Sequence, residues 1–489
     1  MSRRLLAPLA VAAVVTGATV ASAVSWPVLP STAPPAAAAP SGPVIERNLV
    51  CPDLSGSPGE TRTRLTVAAL PGAGRGTAAV SAVQGRFPVP LPTVSASTGT
   101  ARLDVASRGG PVLVDAHGPI AAGVAAEQVT RTAGGPGRGL AETRCAPAAP
   151  ESWFVGGATT VDSFATLRLV NPDPVPATAD VSVLTTTGPV DPRSAQGIDV
   201  PPAGSVDLAL ESLAPGSTAL ATHVSVTSGR LVAAVLDVRH AADLPLGGDY
   251  VPASGAGPAR VAVVPGLLPG SGYRRVVLAT PGPDDATVTL RVVSGDGAFV
   301  PTSLNAVRVP AGTVVQVDLA PILRGAAAAV EVTSDVPVVA GAVSGQSDPR
   351  TGATDFSWTG AGPALTGSAL VPDNRLGGGV DTLLVLSAPG AAAAVTVTAF
   401  AAGRRPAAPR RIPVPAGRTV AVSVRTLGLP AGSFALVVRP AVGSGPVYGA
   451  RELVEPDSGG VLLCELDLER TDADVVVPAV VPDPAAGAP

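Results

Sequence analysis

The chain reads as an all-β protein, about four tandem immunoglobulin-like antiparallel β-sandwich units preceded by an N-terminal hydrophobic helix. Three observations predict this. The first is composition: of 489 residues 46% are hydrophobic but only 3% aromatic, with 56 Gly and 53 Pro, so the apolar content is mainly Ala, Val and Leu cut by frequent turn residues. The second is a phrase that recurs, VPPAGSVDLAL from Val200, VPAGTVVQVDL from Val309 and VPAGRTVAVSV from Val414. The third is its period. Gly99, Gly204, Gly312 and Gly417 lie 105, 108 and 105 residues apart, and the prolines closing LTVAALPG, LRLVNPDP, VVLATPGP and LLVLSAPG, at Pro71, Pro172, Pro281 and Pro389, lie 101, 109 and 108 apart. A catalytic motif occurs once, whereas a module stacked along a chain repeats its folding instructions.

Taken from the N-terminus, Arg3 and Arg4 precede the apolar run LLAPLAVAAVVTGATV, and Ala21-Ser22-Ala23 supplies small residues of the kind a signal peptidase accepts. Residues 1–26 are therefore expected to be a signal peptide or, since the run is nearly long enough to span a bilayer, a membrane anchor. Residues 27–43, with STAPPAAAAPSGP, form a Pro/Ala-rich linker. The repeat then divides the chain into sandwich units at 44–150, 151–260, 261–367 and 368–482, leaving 483–489 as a flexible tail.

Within the third unit the runs VAVVP, RRVVLAT, ATVTLRVV, NAVRVP, TVVQVDLA, AAAVEVTS and PVVAGAVS predict seven strands, each rich in Val or Thr and bounded by Gly, Pro, Asp or Ser. Seven strands in roughly 100 residues is the size of an immunoglobulin-like sandwich. A β-propeller with two four-stranded blades per repeat is the alternative, disfavoured because the two halves of a repeat do not resemble each other. The repeated glycine fits a hairpin turn with positive φ after the proline has closed the preceding strand. In the strand that follows, Val315, Val317 and Leu319 face the core, as do Val420, Val422 and Val424. Val317→Asp is expected to unfold the third unit. In the first two units the apolar set, Ala101, Leu103, Val105 and Val206, Leu208, Leu210, starts one residue nearer the glycine, read as a shorter turn. The segments RHAADLPLGGDYVPASGAGPAR from Arg239 and GQSDPRTGATDFSWTGAGPALTGS from Gly345 read as connections between units. Trp153, Phe154, Tyr250, Phe356 and Trp358 are the candidate junction aromatics.

Chemistry is sparse. A net charge of −4 over this length makes no strong field, and nucleic acid is not an expected partner. Arg404, Arg405, Arg410 and Arg411 read as a solvated hairpin. The three histidines share no metal-ligand spacing, and His223, in ATHVSVT, is expected to face water. No G-x-S-x-G elbow is present. We therefore expect no catalytic residue, cofactor or metal. Of three cysteines, Cys51 and Cys145 at the two ends of the first unit are the favoured disulfide, leaving Cys464 free; pairing of either with Cys464 across a folded-back array is the rival.

The run SWFVGGATTVDSFATLRLVNPDPVPATADVSVL, followed by VPPAGSVDLAL and HVSVTSGRLVAAVLDVR, resembles a repeat of exported actinobacterial proteins. It combines Trp-Phe, a Gly-rich turn, a strand ending in Asn-Pro, and Val-Pro-Ala-Gly. The layout as a whole resembles the actinobacterial family called domain of unknown function 5719, although the Trp-Phe pair is clear only at Trp153 and Phe154. The resemblance implies place and architecture and carries over no catalytic residue. The expectation is a noncatalytic secreted or membrane-anchored envelope protein on the extracellular side of the cell membrane, acting as scaffold, spacer or binding module. Its expected partners are an envelope protein or polysaccharide, and the membrane itself if the N-terminal segment stays. The alternative is a cell-wall or polysaccharide-processing enzyme with its site at a junction between units.

Overall fold

The computed structural model describes residues 41–476 apart from 53–60, 85–92, 96–98, 106–109, 192, 194, 243, 256, 348–353, 430, 458–459 and 473–474. The expected N-terminal helix, most of the linker and the tail lie outside the described residues. Among the described residues no helix is long and apolar enough to cross a membrane.

The repeat builds antiparallel two-sheet sandwiches. In the second module one sheet sets Glu151–Val155, Leu220–Ser228 and Ala177–Thr185 side by side, with Gly188–Pro189 and Ile198–Val200 on the outer edge. The facing sheet runs Gly204–Ala209, Ser163–Asn171, Val232–Ala241, Leu244–Val251. Numbering the principal strands of a module by appearance gives the orders 1-6-3-4 and 5-2-7-8. The first module keeps this order from Glu46–Cys51 to Gly139–Arg144, and the fourth keeps it from Ala369–Leu376 to Gly460–Asp467. The expected sandwich is present, with a strand order of its own: the first strand pairs with the sixth, not with the second as in the ABED sheet of an immunoglobulin constant domain. In the third module strands six and seven are one, Ala328–Ser347. Its first half pairs with Ala259–Leu267 and Ala286–Ser294, and its second half with Arg274–Ala279 and Thr354–Gly360. The second module breaks at the corresponding place through Gly229, φ 74°; the third has Asp335 there and runs straight on.

Alternation places valines in the interior as the period of two demands. Leu65 and Val67 meet Val112 and Val114 in the first module, Val288, Leu290 and Val292 meet Val330 and Val332 in the third, and Leu384 and Leu386 meet Leu436 and Val438 in the fourth. Val315 and Val317 face the third module's core, yet both are only half-buried because Val314–Asp318 is an edge strand; Leu319 is fully buried. The expectation that Val317→Asp unfolds the module is therefore corrected to a modest loss, since an edge carboxylate can turn to water.

The turn markers also need one correction. Gly99, Gly312 and Gly417 have φ of 67°, 68° and 67°, but in the second module the left-handed residue is Ala203, φ 46°, and not Gly204. Counted from Ala203, the apolar set starts at Val206, three residues on, as Val315 does from Gly312 and Val420 from Gly417. The shorter turn inferred for the second module disappears. Its VPPAGS places alanine where only glycine is unstrained.

Residues Gly42–Val475 form one compact unit, and the modules within it close into a ring. Val50, Val83, Val170 and Val232 join the first to the second, and the second module's interior continues into Val277, Ala279, Phe356 and Trp358 of the third. Leu268, Val385 and Leu463 join the third to the fourth, while Ala68, Leu70, Leu370, Phe400 and Val437 return the fourth to the first. Strands at these contacts are apolar on both faces: Val67 points into its own module and Ala68 into the fourth. The ring encircles a centre as a propeller does, but each repeat is a sandwich and not a single-sheet blade.

Candidate functional site

At the centre lie the eighth strands of the four modules, Gly139–Arg144, Leu244–Val251, Thr354–Gly360 and Gly460–Asp467, each touching the next and the last touching the first. The segments read as connections between units contain two of them, a correction with a physical cause. Buried on both faces, Thr354–Gly360 has no alternation to read, and its acidic and glycine residues look like turn chemistry.

Each inner strand bonds to its own module along one edge, so the other edge brings unpaired backbone N–H groups into a dry centre. Carboxylates from the neighbouring strands accept them. Asp249 accepts the N–H of Glu142 at 2.8 Å and that of Trp358 at 3.0 Å, tying the second module to the first and third. Asp355 accepts from Leu140 at 3.1 Å and Leu463 at 3.0 Å, tying the third to the first and fourth. Asp467 accepts from Gly360 N–H at 3.0 Å and from the Thr359 hydroxyl at 2.6 Å. The four modules are thus joined at the centre by side-chain-to-backbone bonds in place of a β-ladder.

Ion pairs surround these bonds. Fully buried Arg451 of the fourth module donates to Glu142 at 2.8 Å and to Glu127 at 2.9 Å, both in the first module. Asp237 of the second module binds Arg239 at 2.9 Å and the indole N–H of Trp358 at 3.1 Å. The Arg239 guanidinium lies 4.7 Å from the Phe356 ring centre and 5.3 Å from that of Trp358. Burial pushes the Asp355 carboxyl up to about 8, against three backbone N–H bonds that favour its charged form. Burial likewise raises Glu452 to about 8, opposed by Arg274, and holds Asp249 and Glu465 well above the usual carboxylate range. For Arg451 burial alone would lower the pKa, but Glu142 and Glu127 outweigh it and hold the guanidinium charged.

The aromatic candidates fall around this junction. Phe356 and Trp358 are buried between the second and third modules, with Trp358 so close to Gly156 that a Cβ there would stand 2.6 Å from its ring. Tyr250 packs on Ala141 of the first module, and its hydroxyl lies 3.3 Å from the Gln128 amide. Phe154 lines a cavity of about 150 Å³ with Glu142, Tyr250, Glu465 and Asp467. Trp153 stacks on His223, ring centres 4.2 Å apart; the expectation that His223 faces water is corrected to a half-buried position, with its side chain 20% exposed and its Nε2 3.3 Å from the Glu151 carboxylate. Cys51 and Cys145 are disulfide-bonded, and Cys464 is free and buried. Glu46, Asp115 and His117 place ligand atoms within 4.8 Å of one another on an exposed sheet face.

Sequence reasoning missed the carboxylates and their arginines. A signal was there: Glu142, Asp249, Ser357 and Glu465 lie 107, 108 and 108 residues apart, the period of the valine repeat, with an acid in three copies of four. Chemically, the junction is a set of hydrogen-bond acceptors mostly consumed in holding backbone. Among the described residues Glu465 Oε1, Glu127 Oε2 and Glu452 Oε1 have no hydrogen-bond partner, and of these three acids Glu465 lines the 150 Å³ cavity.

No curated protein matches the chain. A family of unknown function, DUF5719, matches residues 93–425, from the first module through the second and third and into the fourth. The chain is a member of that family, and the matched residues take in the second and third modules whole and parts of the first and fourth.

Proposed function

We propose that this is a noncatalytic envelope protein, secreted or anchored through its N-terminal segment on the extracellular side of the cell membrane. It presents a rigid four-module platform to an envelope protein or polysaccharide. The observation that carries the reading is that Asp249 and Asp355 each accept backbone N–H groups from two other modules. Acids spent in this way lock the ring and are not free to exchange protons with a substrate. The composition supports the location: Arg3 and Arg4, the apolar run and the Pro/Ala linker read as an export segment followed by a spacer.

A second reading, an enzyme acting on wall polysaccharide at a module junction, is favoured by Glu465, which lines the 150 Å³ cavity and has an oxygen without a partner among the described residues. One experiment separates the two. Isolated wall polysaccharide is incubated with the full chain, and both co-sedimentation and newly released reducing ends are measured. Retention without release is expected. Release that vanishes in Glu465→Gln would replace the scaffold with the enzyme. Fractionation of cells, with protease added to intact cells, tests the location; protection from external protease would refute it.

A further inference from the structure

A basic pocket lies between the first and fourth modules, beside the 150 Å³ cavity and sharing Arg144 and Glu469 with its wall. It has a volume of about 170 Å³ and is walled by Leu49, Val124 and Ala125, with Arg47, Arg144 and Arg470 supplying the charge and, among the described residues, Glu469 the only acid on its wall. Arg47 stands on the strand Glu46–Cys51. Its Nη1 donates to the carbonyls of Val124 at 3.0 Å and Thr471 at 3.1 Å, which fix the guanidinium in place. It has no carboxylate partner among the described residues, and its Nε and Nη2 make no hydrogen bond there. Arg144 donates to the Asp467 carbonyl at 2.7 Å and pairs with half-exposed Glu469 at 3.4 Å. Arg470 is held by Asp472 at 3.3 Å. Three guanidinium groups are thus gathered against two carboxylates, and one of the three, half-buried, faces neither.

We propose that this pocket binds a phosphoryl group, with Arg47 as its principal ligand and Arg144 and Arg470 closing around it. A guanidinium with a free edge presents parallel N–H donors that match two phosphoryl oxygens, and arginine is the side chain best suited to this. Holding like charges together without a full set of anions is unfavourable, and burial together with Arg144 lowers the Arg47 pKa; a bound dianion removes that penalty. The assignment does not depend on whether the central junction is catalytic.

The test is calorimetric titration of the full chain with inorganic phosphate at constant ionic strength, using chloride and acetate as controls. Saturable binding of phosphate, weaker for acetate and absent for chloride, is expected. Arg47→Gln should weaken it about tenfold or more, the loss of one charge-assisted pair. Arg47→Lys, which keeps the charge but not the planar fork, should fall between. Arg404→Gln, on an exposed hairpin, should bind as the wild type does. Because Arg47 also bridges two carbonyls, melting is compared without phosphate. If Arg47→Gln is destabilised, Arg144→Gln serves as the second probe. No saturable phosphate binding, or binding unchanged in both variants, overturns the proposal. Flotation with phosphatidylglycerol vesicles but not phosphatidylcholine vesicles, competed by phosphate, would assign the group to a lipid; phosphate binding without flotation would assign it to a soluble or polymer-borne source.

Discussion

The interior of the third module and the junction of the four inner strands are both dry, but they are held by opposite means. Inside the module Leu290, Val292, Val330 and Val332 interdigitate, with no polar atom to satisfy. At the junction Asp249, Asp355, Glu142 and Arg451 are equally buried, and each needs a partner from another module. Burial without polar groups is local and tolerant of sequence. Burial with them is conditional on distant chain segments arriving together, so the junction couples the modules to one another.

That contrast can be broken most severely at Arg451. Arg451→Ala leaves Glu127 and Glu142 buried without a counter-charge and should cost about 3–5 kcal/mol. Leu290→Ala should cost a similar amount, about 2–5 kcal/mol, through a cavity. The two should differ in reach. Native-state hydrogen exchange is expected to speed up in the third module alone for Leu290→Ala, but in all four inner strands for Arg451→Ala. Confinement of the Arg451→Ala effect to the fourth module would show that the junction does not couple the ring.

Reduction of the Cys51–Cys145 bond, which spans a separation of 94 residues, releases a loop worth up to about 4 kcal/mol in the chain-entropy account. The urea midpoint should fall, and exchange in the first module should rise first. A reduced protein that unfolds at the same urea concentration would mean that packing alone holds the ends of the module.

A smaller effect follows from pH. The folded-state values of Asp355 and Glu452, both about 8, lie above their unfolded values of roughly 4, so the folded form binds more protons. This contribution is fully present below the unfolded values and is lost as pH rises through the window up to about 8. Among the charged groups around them, Arg138 opposes the shift at Asp355, while at Glu452 Arg274 opposes it and Asp381 adds to it. The urea midpoint should therefore be higher at mildly acidic than at mildly alkaline pH, and Asp355→Asn should flatten the difference. A midpoint that does not fall with pH would mean that the hydrogen-bond donors and counter-charges keep Asp355 and Glu452 ionised throughout.

The smallest expected change sharpens the module side. Ala203→Gly relieves a left-handed alanine, φ 46°, and should stabilise the second module by up to about 1 kcal/mol. The same substitution at Ala311, beside Gly312, has no such strain to relieve and serves as the control in thermal melting.

How far each region was legible follows from the same contrast. Val315, Val317 and Leu319 announced their facing because one side of their strand meets a core and the other side does not. Thr354–Gly360 gave no such sign. With both faces buried it lost its alternation, and Asp355, which clamps two other modules, is indistinguishable in sequence from an aspartate in a turn. At Ala203 the sequence misleads for a local reason, since the adjacent Gly204 is the more obvious residue for a left-handed turn.

Taken alone, the amino-acid order determined an all-β chain, a module of about one hundred residues, the approximate turn positions and the valines of each interior, because these depend on near neighbours and on a period of two. Ring closure, the eighth strand, the partners of Asp249, Asp355 and Arg451, and the pocket around Arg47 were decided only in three dimensions. Each of them joins residues from different modules, and a carboxylate or guanidinium takes its role from what it meets across the junction, not from what precedes it along the chain.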